Sequence, residues 1–127
     1  MTDAQRPAEP YAPFKLENLL DTEWKDVRLS FSDWMWLRAT YGVDKIDGYY
    51  LNGYGVEGLV KAALFQDGVD LDSPDIFFDS EGDTCYIHFK NLDLAMRAAE
   101  VAARMIMSRQ SIMRMIEIAR AQGFEDG

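Results

Sequence analysis

The chain predicts an α+β fold, a small antiparallel sheet packed against helices with a helical C-terminal region, and three observations carry that prediction. Between residues 75 and 89, the runs Ile76-Phe77-Phe78 and Thr84 to Phe89 flank Ser80-Glu81-Gly82, which reads as a β-hairpin around turn-forming residues. From Leu92 onward, apolar residues recur at three- and four-residue steps, the period of helices with one buried face. Hairpin signals outnumber βαβ signals, so the expected sheet is antiparallel, with roughly three to five strands and helices on one face.

Taken in order, residues 1–13 carry Pro7, Pro10 and Pro13 and read as a flexible Pro-rich arm, which leaves 14–127 as a single α+β domain. A hydrophobic content of 48% over 127 residues is enough for one core, and a second independent domain is not expected. Phe14 to Asp26 has mixed apolar spacing and fits either a short helix or an extended lead-in. Val27 to Phe31 alternates apolar and polar side chains, as a strand with one buried face does. Ser32 or Asp33 is placed to cap a short helix containing Trp34, Met35, Leu37 and Arg38, and Gly42 to end it in a left-handed turn. Lys45 to Leu51 leads to Asn52-Gly53, expected as a turn because both residues tolerate positive φ. A helix over about residues 56–65 should follow and stop at Gly68. In the second strand of the hairpin, Cys85, Ile87 and Phe89 share one face, while Thr84, Tyr86 and His88 share the other. Asn91 or Asp93 can cap the next helix and Ser108 a further one, which predicts two helices, about 92–107 and 109–121, with Gly123 ending the last.

The sharpest chemical motif is Gly53-Tyr54-Gly55-Val56-Glu57-Gly58, a G-x-G-x-x-G with Asp79 lying 21 residues beyond its last glycine. A dinucleotide turn needs a buried parallel strand ahead of it, whereas residues 47–52 are half polar and interrupted by Gly48. Glu57 would also set a carboxylate where the pyrophosphate belongs. Asn52, Gly53, Gly55 and Gly58 are therefore read as a structural turn, helix start and close packing, and no cofactor is expected.

Metal and nucleophile chemistry find no better support. An EF-hand loop begun at Asp79 would put Gly82 at position 4, where the loop needs its glycine at position 6, and Lys90 where a bidentate Glu is required. The one histidine, His88, and the one cysteine, Cys85, fall on opposite faces of a strand and do not pair as nucleophile and base. A lone cysteine also rules out an internal disulfide, and a non-catalytic protein is the expectation.

Charge points toward a protein partner. The chain has a formal net charge of −9, and Asp67, Asp70, Asp72, Asp75, Asp79, Glu81 and Asp83 follow one another without a Lys or Arg between them. Such a surface repels nucleic acid and attracts basic partners. No apolar run approaches the length of a membrane span, and the opening residues lack the apolar stretch of a secretory signal, so a cytoplasmic protein is expected. Trp34, Trp36, Tyr49 and Tyr50 have the composition of interface anchors, wherever they are exposed. Five methionines in the C-terminal region (Met96, Met105, Met107, Met113, Met115) fit core filling, or else an apolar groove or dimer face.

At Asn52-Gly53-Tyr54-Gly55-Val56-Glu57-Gly58-Leu59, followed by Phe78-Asp79-Ser80-Glu81-Gly82-Asp83-Thr84 and two closing helices, the chain resembles the immunity protein 51 family of bacterial polymorphic-toxin immunity proteins. The similarity runs from about Ile46 to Ala121; Gly55 and Gly58 stand where other members carry larger residues. The resemblance implies a small cytoplasmic antitoxin that binds and neutralises one cognate toxin domain, without cofactor or catalysis. The seven acids from Asp67 to Asp83 are then the expected toxin-facing surface. A ligand or nucleotide domain using the Gly53–Gly58 turn, or a homodimeric adaptor, is the alternative.

Overall fold

A computed structural model describes residues 10–124. The elements run β1 (Lys15–Asn18), β2 (Val27–Phe31), α1 (Trp34–Tyr41), β3 (Lys45–Ile46), β4 (Tyr49–Tyr50), α2 (Gly53–Gln66), β5 (Ile76–Phe78), β6 (Cys85–Phe89), α3 (Leu92–Ile106) and α4 (Arg109–Gln122). Four strands form one antiparallel sheet in the order β1-β2-β6-β5, and β3 with β4 makes a separate two-stranded ribbon. The α+β class, the hairpin and the helical C-terminal region are as the sequence predicts.

Alternation explains the layering. Val27, Leu29 and Phe31 on β2 pair with Phe89, Ile87 and Cys85 on β6, and all six are buried on the same face. α2 and α3 cover that face, and α4 packs against both of those helices. α3 lies close to the sheet because its buried stripe is largely alanine: Ala95, Ala98, Ala99 and Ala102, ending in Met105 and Ile106. α2 is buried on nearly all sides, as expected for a helix between a sheet and another helix. Leu59 and Leu64 are wholly enclosed there, and burying each stabilises the fold by about 2 kcal/mol.

The caps follow the predicted residues. Asp33, Asn91 and Ser108 accept hydrogen bonds from the backbones of Trp36, Leu94 and Ser111, and Gly42 and Gly123 close α1 and α4 in left-handed conformations. The cap at Ser108 separates the C-terminal region into two helices.

Several local expectations change. The segment from Phe14 resolves as a strand, with Phe14 buried and Lys15–Asn18 pairing at the sheet edge. Asn52-Gly53 is no positive-φ turn: Asn52 is the extended N-cap of α2 and Gly53 its first residue, so the helix starts three residues ahead of the predicted Val56. The positive-φ pair is Asp47 (φ 53°) and Gly48 (φ 79°), which turn the chain between β3 and β4. Residues 1–9 of the predicted arm lie outside the described residues. Within residues 10–13, Tyr11 packs against the core near Met96 and Val101 of α3, and its carbonyl accepts from Phe14.

Candidate functional site

The start of α2 is built by close backbone approach. Gly53 N–H donates to the Gly82 carbonyl at 3.0 Å, and the Asn52 side chain accepts from Gly55 N–H at 2.8 Å. A Cβ at Gly53 would overlap the Glu81 carbonyl, and one at Gly55 the Tyr50 carbonyl; at Gly58 it would meet the Tyr49 hydroxyl and the Phe124 carbonyl. The three glycines thus let the β5–β6 turn, the β3–β4 ribbon and the C-terminal end of the described chain close on one helix. Glu57 is buried beside them and paired with Lys61 at 3.3 Å. The Glu81, Gly82 and Tyr50 carbonyls already crowd the first turn of α2, where a pyrophosphate would sit, so the geometry opposes a nucleotide in this turn.

This closure leaves a cleft of about 300 Å³ between α1, the β3–β4 ribbon and the β5–β6 turn. Its walls include Trp34, Leu37, Tyr50 and Leu51, and its rim carries Asp44, Asp83 and Arg38. Trp34 is fixed in place, with its ring edge-to-face on Phe31 at 5.0 Å and its indole N–H donating to the Asp83 carbonyl at 2.8 Å. Tyr50 is 61% exposed and lies under the Lys45 ammonium at 5.1 Å. Predicted site residues from three separate segments, Trp34 on α1, Tyr50 and Asn52 where β4 runs into α2, and Asp83 in the β5–β6 turn, therefore line a single depression. The Asp44 and Asp83 carboxylates can receive a cationic side chain with an apolar stem, such as that of a lysine or arginine, in competition with Arg38 and the Lys45 ammonium beside Tyr50.

The other predicted residues lie elsewhere. Tyr49 is wholly buried and donates its hydroxyl proton to the Gly55 carbonyl at 2.6 Å, so it is a core residue and no surface anchor. Trp36 is half-buried, edge-on to Tyr41 at 6.0 Å. Asp67 ends α2 and is held by Arg97 through its carboxylate at 2.8 Å and its carbonyl at 2.6 Å. Asp70 accepts from the Asp72 backbone at 3.0 Å within the following loop. Asp75 flanks the end of the sheet, where its carbonyl accepts from Lys90. Asp79 turns toward His88, while Glu81 and Asp83 stand exposed at the hairpin tip. Of the five C-terminal methionines, Met105 and Met115 are core, whereas Met96, Met107 and Met113 are exposed.

Sequence reasoning missed a second surface, the face of the sheet that no helix covers. Across it, Glu17 stands opposite Arg28, Arg28 opposite His88 and His88 opposite Phe77. Asp26 binds Arg28 at 3.0 Å, and Arg28 reaches the Tyr86 hydroxyl at 3.1 Å. The His88 ring lies between two carboxylates, with Nδ1 3.2 Å from Asp26 and Nε2 3.3 Å from Asp79, so that a ring N–H on either side meets a carboxylate acceptor. The Asp26 carboxyl ionises below its ordinary value of 3.8: burial alone would raise it, but hydrogen bonds and charge from Arg28 and His88 outweigh that. Trp24 and Phe77 flank this network at 60% and 61% exposure, around a cavity of about 640 Å³. The polar half of each strand's alternation was legible, but Trp24 sat in a stretch of unassigned structure and gave no sign of its exposure.

Behind the network, the Cys85 thiol is buried and pushed up to about 12, first by desolvation, which makes it inert. No helix among the described residues is long and apolar enough to cross a membrane. No family model, curated protein or solved structure matches this chain.

Proposed function

We propose that this chain is a cytoplasmic immunity protein of the kind it resembles, binding and neutralising one cognate toxin domain without catalysis. The observation that supports this reading best is the convergence of Trp34, Tyr50, Asn52 and Asp83 on one cleft that also carries the Asp44 carboxylate. Trp34 is already held by Phe31 and Asp83, so little side-chain freedom is lost when a partner covers it. Tyr50 offers exposed aromatic surface next to it. A net charge of −9 would draw in a basic toxin domain, and Asp44 and Asp83 would then receive its cationic side chains.

The test is capture of partners from the native bacterium with the tagged chain, followed by co-expression with the captured toxin. Suppressed toxicity and a stoichiometric complex are expected. Replacing Asp44 and Asp83 together with Ser should slow association at low salt by roughly tenfold while leaving the melting temperature in place. An unchanged association rate would remove the cleft from the interface, and survival of the toxin's activity in a saturated complex would overturn the inhibitor reading itself.

A further inference from the structure

We infer that the uncovered face of the four-stranded sheet is a two-fold interface between two copies of this chain. The inference does not rest on the toxin-binding reading, and it concerns a different surface. The apolar content comes from Trp24 and Phe77, each about 60% exposed, standing on or beside a sheet face whose opposite side packs against α2 and α3. Large aromatic side chains held in water beside an ordered surface are the usual anchors of a protein contact.

Charge selects the occupant. Lys15, Lys25, Arg28 and Lys90 stand on or beside this face. Glu17, Asp26, Asp75 and Asp79 are interspersed among them, so the face sums to zero on a chain whose net charge is −9. A basic partner gains nothing from a neutral mosaic, whereas a second acidic copy is repelled least where the local charge cancels. An interface between like subunits is self-complementary, and a surface that carries both signs side by side satisfies that requirement.

Desolvation also favours it. Asp26, Arg28 and His88 are each about 18% exposed and already paired with one another, and Asp79 binds the far side of His88. Covering a network whose members are hydrogen-bonded costs far less than burying separate charges. Lys25 holds a left-handed backbone at φ 54°, a conformation that favours glycine, right beside Trp24. Local strain next to an exposed tryptophan fits a loop shaped for contact more than one shaped for stability.

The two surfaces respond to salt with opposite sign. Toxin capture by the cleft is attractive at long range and weakens as salt rises, while dimerisation brings together two chains of −9 and tightens as salt screens their repulsion. Sedimentation equilibrium of the full chain over a concentration series, at low and at physiological salt, should show a monomer–dimer equilibrium that shifts toward dimer with salt. Phe77→Asp should raise the dimer dissociation constant by ~30-fold or more, the effect of removing an interface anchor. Trp24→Ser tests the same contact from the neighbouring loop, and circular dichroism verifies that each variant melts as the parent does. A monomer at every concentration and salt, or a dimer unmoved by both substitutions, would overturn the inference.

Discussion

The cleft and the open sheet face share the β5–β6 hairpin, yet they are held together by different physics. In the cleft, backbone meets backbone: Gly53 lies against Glu81 and Thr84, Gly55 against Tyr50, and Gly53 N–H bonds Gly82. On the open face, side chain meets side chain, through Asp26, Arg28, Tyr86, His88 and Asp79. Backbone contacts yield little, so the cleft has one shape or none. Side-chain contacts on a half-exposed surface can be lost singly while the strands beneath remain paired.

The sharpest way to break that contrast is a single methyl group. Gly53→Ala places a Cβ into the Glu81 carbonyl with Thr84 backbone behind it, and nothing flexible there can give way. The expected loss is about 3 kcal/mol in urea unfolding, accompanied by loss of partner binding at the cleft. A variant as stable as the parent would show that the hairpin tip moves freely, and the cleft would then lose its claim to a fixed shape.

A smaller effect is expected on the other surface. Asp26→Asn removes the ionised acceptor shared by Arg28 and His88, and at an accessible position this should cost about 0.5–1 kcal/mol. The pH dependence carries the sign. Because the folded Asp26 carboxyl ionises below 3.8, its contribution is complete above that value and fades as pH falls through the lower folded value. Stability of the parent measured from pH 6 down to pH 2 should therefore fall more steeply than that of the Asn variant. Parallel profiles would mean that the network adds nothing to the fold.

The smallest expected effect runs the other way. Lys25→Gly relieves a left-handed backbone at φ 54° and should leave stability level or raise it by up to about 1 kcal/mol. If the open face is a dimer contact, the same change should weaken association by loosening the loop that presents Trp24. A gain in stability together with weaker dimerisation would separate what the loop does for the fold from what it does for contact.

Legibility differed between the two surfaces for the same reason. The strands, the hairpin, the C-terminal helices and their caps at Asn91 and Ser108 were readable because periodicity and capping act over a few neighbouring residues. The Asn52-Gly53 pair was misplaced as a positive-φ turn. Its flexibility is visible locally, but what fixed it as a helix start was the Gly82 carbonyl, 29 residues further along the chain. Tyr49 and Tyr50 illustrate the limit in one dipeptide: neighbours of the same residue type, one wholly buried on Gly55 and the other 61% exposed at the cleft. No local rule separates them, because the β3–β4 ribbon's position against α2 decides which side is inside.

The sequence by itself determined the α+β class, the hairpin, the two closing helices, the strand alternation that sends Cys85 and His88 to opposite faces, and the acidic balance. Only the tertiary structure decided that Trp34, Tyr50, Asn52 and Asp83 share a cleft, that the acids from Asp67 to Asp83 divide among different surroundings, and that Trp24 and Phe77 stand on an uncovered face. Periodicity, caps and net charge depend on residue order over a turn or a strand, whereas a site depends on which segments meet, and that is set by packing between residues far apart in the chain.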